Sequence, residues 1–171
     1  MNSNMQKLMQ ISGFFRIAVI FGAVSILIYL GYGYFIQGDI RFSTSMLFTE
    51  LWWDERASRQ VLLAIQAPLF IMFLVGVYWL QKLLGFYHQG HFFGHNAMRC
   101  YLWLIWIKLA DFALEIVQHL LTGYYHKSFF DKTHIELPLD FGNITTILLM
   151  LIIVYLLKAA REIEAENKEF I

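Results

Sequence analysis

Four stretches of the chain are almost unbroken runs of apolar residues. They cover about 13–36, 61–82, 98–122 and 142–161. Crossing ~30 Å of hydrocarbon takes about 20 helical residues. Each run is therefore long enough to span a bilayer. Barrel strands would alternate over shorter segments, and only a helix satisfies its own backbone along so continuous a run. The pattern predicts an all-α polytopic membrane protein. Its expected form is a four-transmembrane-helix bundle, with residues 1–171 forming one membrane domain. Pro68 falls within the second run, where a membrane helix tolerates it.

Between the runs the pattern changes. In 37–60 the apolar positions Met46, Leu47, Leu51 and Trp52 recur at roughly helical spacing, and charges gather after Trp53. A short interfacial helix is one reading. A connector with tryptophan anchors is the other. Residues 123–141 mix aromatic and polar side chains. The 83–97 segment carries Gly90 and Gly94 and reads as a turn. The tail "KAAREIEAENKEFI" alternates acids and bases and extends the last helix into water. The run from Gly13 to Ile36 is too long for a signal-peptide core and no small-residue cleavage site follows it, so it is expected to remain as the first span. There is no internal repeat.

Composition supports the membrane reading. Of 171 residues, 58% are hydrophobic and 15% are charged, against about one quarter charged in soluble domains. The aromatic share of 18% suits interfacial belts. Zero net charge leaves no electrostatic footprint for direct nucleic-acid binding. Cys100 is alone, so no intramolecular disulfide can form. With four spans, Lys7, Arg16, Lys82, Arg99, Lys158, Arg161 and Lys168 share one side, against Arg41, Arg56, Arg59, Lys127 and Lys132 on the other. The bias favours termini in the cytoplasm.

Two phrases carry a resemblance. One is "GHFFGHN", a G-x-x-F-x-x-N pattern between the second and third runs. The other is the Glu-Asn of the tail "IEAENKEFI". On a chain of this length they resemble a bacterial domain-of-unknown-function family of small four-helix membrane proteins. The resemblance picks out Gly90, Phe93, Asn96, Glu166 and Asn167. His91 and His95 depart from the pattern, and the charged third run is not a hallmark of it. The resemblance implies a bacterial inner membrane protein with no established activity. It also implies a cytosolic regulatory partner of helix-turn-helix type.

The third run holds the candidate chemistry. At about 100° per residue from Lys108, Asp111, Glu115, His119 and Thr122 fall at about −60°, −20°, +20° and −40°. They form one stripe, with neighbours three or four apart in reach of each other. A charge at a helix centre costs roughly 2.5–3.5 kcal/mol, so the stripe is expected to face protein or a wet cavity. Lys108 would lie ~15 Å deep, at ~1.5 Å per residue. The outer halves of the other runs offer Ser25, Tyr29, Tyr32, Gln66, Asn143, Thr145 and Thr146. Together they predict a polar pocket in the outer half, with Lys108, Asp111, Glu115, His119, Gln66 and Thr145 as its ligand- or proton-binding residues. Like charges at Asp111 and Glu115 and the Glu115–His119 pair would suit a proton relay. A self-paired core that only fixes helix packing is the plainer alternative.

His88, His91 and His95 have metal-like spacing. Zinc needs three or four convergent ligands, and no Cys or acid lies nearby in sequence. Loop histidines beside aromatics at a bilayer edge are the ordinary reading, so these are weak metal candidates. A haem would want axial ligands from facing helices, and only His119 lies in a run. No phosphate-binding loop, zincin helix or nucleophile elbow occurs. No cofactor and no enzymatic activity are expected. The leading reading is a non-enzymatic sensor or regulator that meets a cytosolic partner through 83–97 and the tail. A small proton- or ion-coupled transporter, often oligomeric, and an accessory subunit of a larger membrane complex are the alternatives.

Overall fold

The computed structural model describes residues 3–39, 45–92, 94–130 and 141–169, with side chains over 5–39, 45–92, 94–130 and 141–159. All regular structure among these residues is helical. Helix α1 covers Ser3–Tyr32 and widens into a π-helical turn at Gly33–Gln37. Helix α2 covers Met46–Trp53, α3 Arg59–His88, α4 His95–Lys127 and α5 Phe141–Glu169.

The helix ends follow local chemistry. Gly38 ends the first helix at φ 66°, a left-handed conformation that suits a residue without Cβ. The Asp39 amide then donates to the Gly33 carbonyl at 3.1 Å. Gly90 does the same work after α3 at φ 80°. There the His91 amide reaches back to the Phe86 carbonyl and the Gly90 amide to that of Tyr87, both at 3.0 Å. This pair of bonds closes a helix with a Schellman motif. The predicted 83–97 turn is therefore only 89–94. Its outer parts belong to α3 and α4, because the apolar pattern fades before the helices stop. Pro68 lies inside α3 without ending it.

Three helical segments are long and apolar enough to cross a membrane: Met5–Gln37, Arg59–His88 and Phe141–Ala159. The predicted third span lies within α4, a helix of 33 residues. It does not reach the same hydropathy, because Lys108, Asp111 and Glu115 interrupt it. Of the four expected spans, three are apolar helices long enough to cross a membrane, and the charged third lies within α4. The apolar spans bury little of themselves. Phe14, Ile17, Phe21, Ile28 and Phe35 on the first, and Leu148, Ile152 and Tyr155 on α5, are exposed. Exposed apolar surface of that extent suits lipid rather than water.

Backbone contacts gather into two compact units. The first comprises Met1–Phe21, Val75–Leu109 and Asp140–Ile171. Its core is Leu83, Ala97 and Cys100, packed by Trp79, Phe86, Tyr87, Tyr101 and Leu104. The second comprises Gly22–Leu74 and Ala110–Leu139. Its core is Phe48, Leu51, Trp52, Ala57 and Leu62, with Leu63, Tyr125, Phe129 and Phe130 against it. Of the two readings of 37–60 the helical one holds for α2, but it turns Phe48, Leu51 and Trp52 into protein. Met46, expected on its apolar face, is 83% exposed.

Candidate functional site

The site builds from one face of α4 within the second unit. Gln118, Thr122 and His126 follow each other at four-residue intervals, so they stack along one line of the helix. All three are buried. The Gln118 side-chain amide donates to the Gln66 carbonyl oxygen on α3, which is also buried. One turn on, the Thr122 side chain is 1% exposed. Its hydroxyl oxygen has no hydrogen-bond partner among the described residues. A further turn on, the His126 Nε2 lies 2.9 Å from the Glu50 carboxylate of α2. A carboxylate only accepts, so the imidazole N–H donates there. The ring stacks on Phe130 at 4.3 Å between centroids. The imidazole is 2% exposed and the Glu50 side chain 55%, so a buried ring is tied to a wet carboxylate.

The α2–α3 region closes over this line. The Trp52 indole N–H donates to the Gly38 carbonyl at 2.7 Å. The Ser58 amide donates to the Tyr125 hydroxyl at 2.9 Å. Arg59 sits over the Trp52 ring and Arg56 over Phe130. Arg56 also clasps Asp54 with bonds of 3.1 and 2.8 Å. The Arg56 hydrogen bonds hold the half-buried Asp54 carboxyl below its ordinary pKa.

The expected residues are only partly brought together. Lys108 is half-buried on the part of α4 in the first unit. Asp111, Glu115 and His119 are half-buried on the part in the second. Gln66 is buried and bonded to Gln118. Thr145 is exposed on α5 and donates to its own helix, at the Phe141 carbonyl, 2.9 Å away. Thr146 does likewise with Gly142. Ser25, Tyr29 and Tyr32 are exposed on α1. A hydroxyl that bonds its own helix backbone needs no interhelical partner.

The histidine cluster does not converge. His88 Nδ1 is engaged with the Met9 carbonyl at 2.9 Å, where α1 comes close enough that Gly13 abuts the ring. His91 and His95 are exposed. No group of three metal-type side chains occurs among the described residues. Of the resembling phrases, Gly90 has the left-handed turn and Asn96 starts α4. Phe93 lies outside the described residues, as do the side chains of Glu166 and Asn167.

Gln118, His126 and Glu50 were missed by the sequence reading. His126 lies 18 residues from Lys108, five turns, and so at the same angle on the wheel. Ending the span at Thr122 put it in a loop, whereas α4 runs on to Lys127. Extending the wheel one turn would have found it. Gln118, being uncharged, gave no comparable signal.

The fold and its apolar helices define an all-helical membrane protein. The chain belongs to the family described as "Protein of unknown function (DUF2975)", whose pattern matches residues 43–171. No curated protein and no solved structure matches the chain.

Proposed function

We propose that the chain is a four-span, non-enzymatic protein of the bacterial inner membrane that senses or regulates, with both termini in the cytoplasm. The polar line of α4 is its input. The turn between α3 and α4 and the C-terminal tail are its output, read by a cytosolic regulatory protein. α4 is the fourth span: at ~1.5 Å per residue its length exceeds the hydrocarbon core, and its opposite face exposes Leu102, Trp106, Leu109, Val117 and Leu121.

The observation that carries the reading is the buried Thr122 hydroxyl, which has no partner among the described residues and lies between two satisfied polar pairs. Buried polar groups in a span are expensive and tend to mark functional positions. The input would take a small hydrogen-bonding ligand, water or a proton. The half-buried Asp111, Glu115 and His119 lie on the approach to it along the same helix.

Mild-detergent capture with the full chain tests this. We expect a helix-turn-helix regulator to be retained, and Asn96→Ala together with loss of the tail to release it. Capture of a large membrane assembly instead would favour the accessory-subunit reading. Proton flux in proteoliposomes that Glu115→Gln abolishes would favour transport.

A further inference from the structure

The first unit has an unusual charge pattern. Residues 1–21 and 75–109 contain Lys7, Arg16, Lys82, Arg99 and Lys108, three histidines, and no Asp or Glu. The acids of that unit are Asp140 and those of the tail. Among the described residues, the exposed Arg16, Lys82 and Arg99 form no ion pair.

These three cations come from three helices at one level. The Arg16 carbonyl on α1 accepts from the Gln81 amide on α3 at 2.7 Å. The Arg16 guanidinium carbon lies 4.0 Å from where a Cβ on Gly85 would stand. Lys82 sits about 60° round α3 from Gly85 and about 60° from Trp79, at about 100° per residue. It therefore occupies the edge between the side of α3 that meets α1 and the side that meets α4. Its ammonium rests 4.9 Å from the Trp79 ring centroid. Arg99 sits about 40° round α4 from Trp103, at about 100° per residue, and so on the side of α4 that meets α3.

Below the cations is an aromatic step. Trp79 and Trp103 stack at 5.4 Å with 15° between planes. On α3 the tryptophan precedes the lysine by three residues. On α4 it follows the arginine by four. The helices run in opposite senses, so on both the ring lies one turn, about 5 Å, further into the span than the cation. Beside the pair, Tyr78, Leu102 and Trp106 are exposed.

We propose that Arg16, Lys82 and Arg99 form a binding site for the phosphate of an anionic phospholipid, with its glycerol backbone and upper acyl chains against Trp79 and Trp103. The occupant is a lipid rather than a free phosphate because the site is amphipathic. Cations without an ion pair among the described residues attract the headgroup, and the stacked rings and flanking apolar side chains face the depth where its chains begin. The lysine held over an aromatic face is already ordered for the contact.

The test uses the full chain in vesicles of phosphatidylcholine with a brominated guest lipid, read by quenching of tryptophan fluorescence. Brominated phosphatidylglycerol should out-compete brominated phosphatidylcholine by about fivefold for each cation engaged. Lys82→Gln and Arg99→Gln should each reduce that preference by about fivefold. Lys158→Gln, at an exposed cation on α5 outside the three helices of the site, should leave it unchanged. Equal quenching by the two lipids with the unaltered chain would overturn the site. So would an equal loss with Lys158→Gln, which would mean diffuse surface charge. Displacement of the anionic lipid by millimolar inorganic phosphate would overturn the choice of a lipid.

Discussion

The two units handle polarity in opposite ways. The second buries it: Gln66, Gln118, Thr122 and His126 all lie inside, next to the Phe48–Trp52 core. The first buries Ser12, whose hydroxyl bonds its own helix at Leu8, and exposes Arg16, Lys82 and Arg99, with Lys82 resting on Trp79. A charge at the rim of a span can snorkel to water, so it needs no internal partner. A polar group inside must be matched by another. The second unit therefore has geometric demands that the first does not, and sequence changes there should have larger consequences.

The sharpest way to break this contrast is to remove a core ring. Trp52 is fully buried, stacks on Phe48 at 5.9 Å and donates to Gly38. Trp52→Ala should destabilise by about 3–5 kcal/mol, since it opens a cavity and strands a carbonyl. Cys100→Ala, at an equally buried but much smaller side chain of the first unit, should cost about 1 kcal/mol. Unfolding followed by near-ultraviolet circular dichroism in detergent would check both. Equal losses would mean that the units do not differ in their dependence on packing.

The glutamine pair gives a smaller effect with a distinctive sign pattern. Gln66→Leu leaves the Gln118 amide buried without its acceptor and should cost about 1–3 kcal/mol. Gln118→Leu should cost a similar amount. The double change removes both polar groups together and should recover most of the loss, because two apolar side chains of similar size fill the space. A double-mutant cycle by thermal unfolding measures this coupling. Additive losses would mean that the two amides act independently.

The sequence made some of this visible. Long apolar runs predicted the helices, and the spacing of Leu51 and Trp52 predicted α2. The first apolar run ends at 36 and its helix at Gln37, before the left-handed Gly38, and Gly90 falls in a turn as its sequence context predicts. But α3 and α4 run on past 82 and 122 to His88 and Lys127, because they continue after the hydrophobic signal has faded. The stripe on α4 was legible through its charges, which stand out in an apolar run. Its buried end was not. Gln118 and Thr122 are uncharged, and His126 draws its role from Glu50, a residue 76 positions earlier. Long-range partners of that kind leave no periodic trace. Nor does a periodic pattern show that the Thr145 and Thr146 hydroxyls each bond a carbonyl of their own helix.

Thr122 supplies the finest test, and its sign decides what the buried line is for. Valine matches threonine in shape and lacks only the hydroxyl. If the hydroxyl is buried with nothing to bond, Thr122→Val should stabilise the protein by about 1 kcal/mol, because an unmet desolvation penalty is removed. Neighbouring packing would be unchanged, as the side chain is 1% exposed and nothing bonds to its hydroxyl among the described residues. If instead a water or small ligand occupies the line in the membrane, the same substitution removes one of its bonds and should destabilise by a similar amount. Thermal unfolding of the two chains in nanodiscs distinguishes the cases by direction alone. Stabilisation would mean a dry structural line and would remove the support for an input there. Destabilisation, reversed when Gln66 and Gln118 are also made apolar, would show that the three positions hold one shared guest.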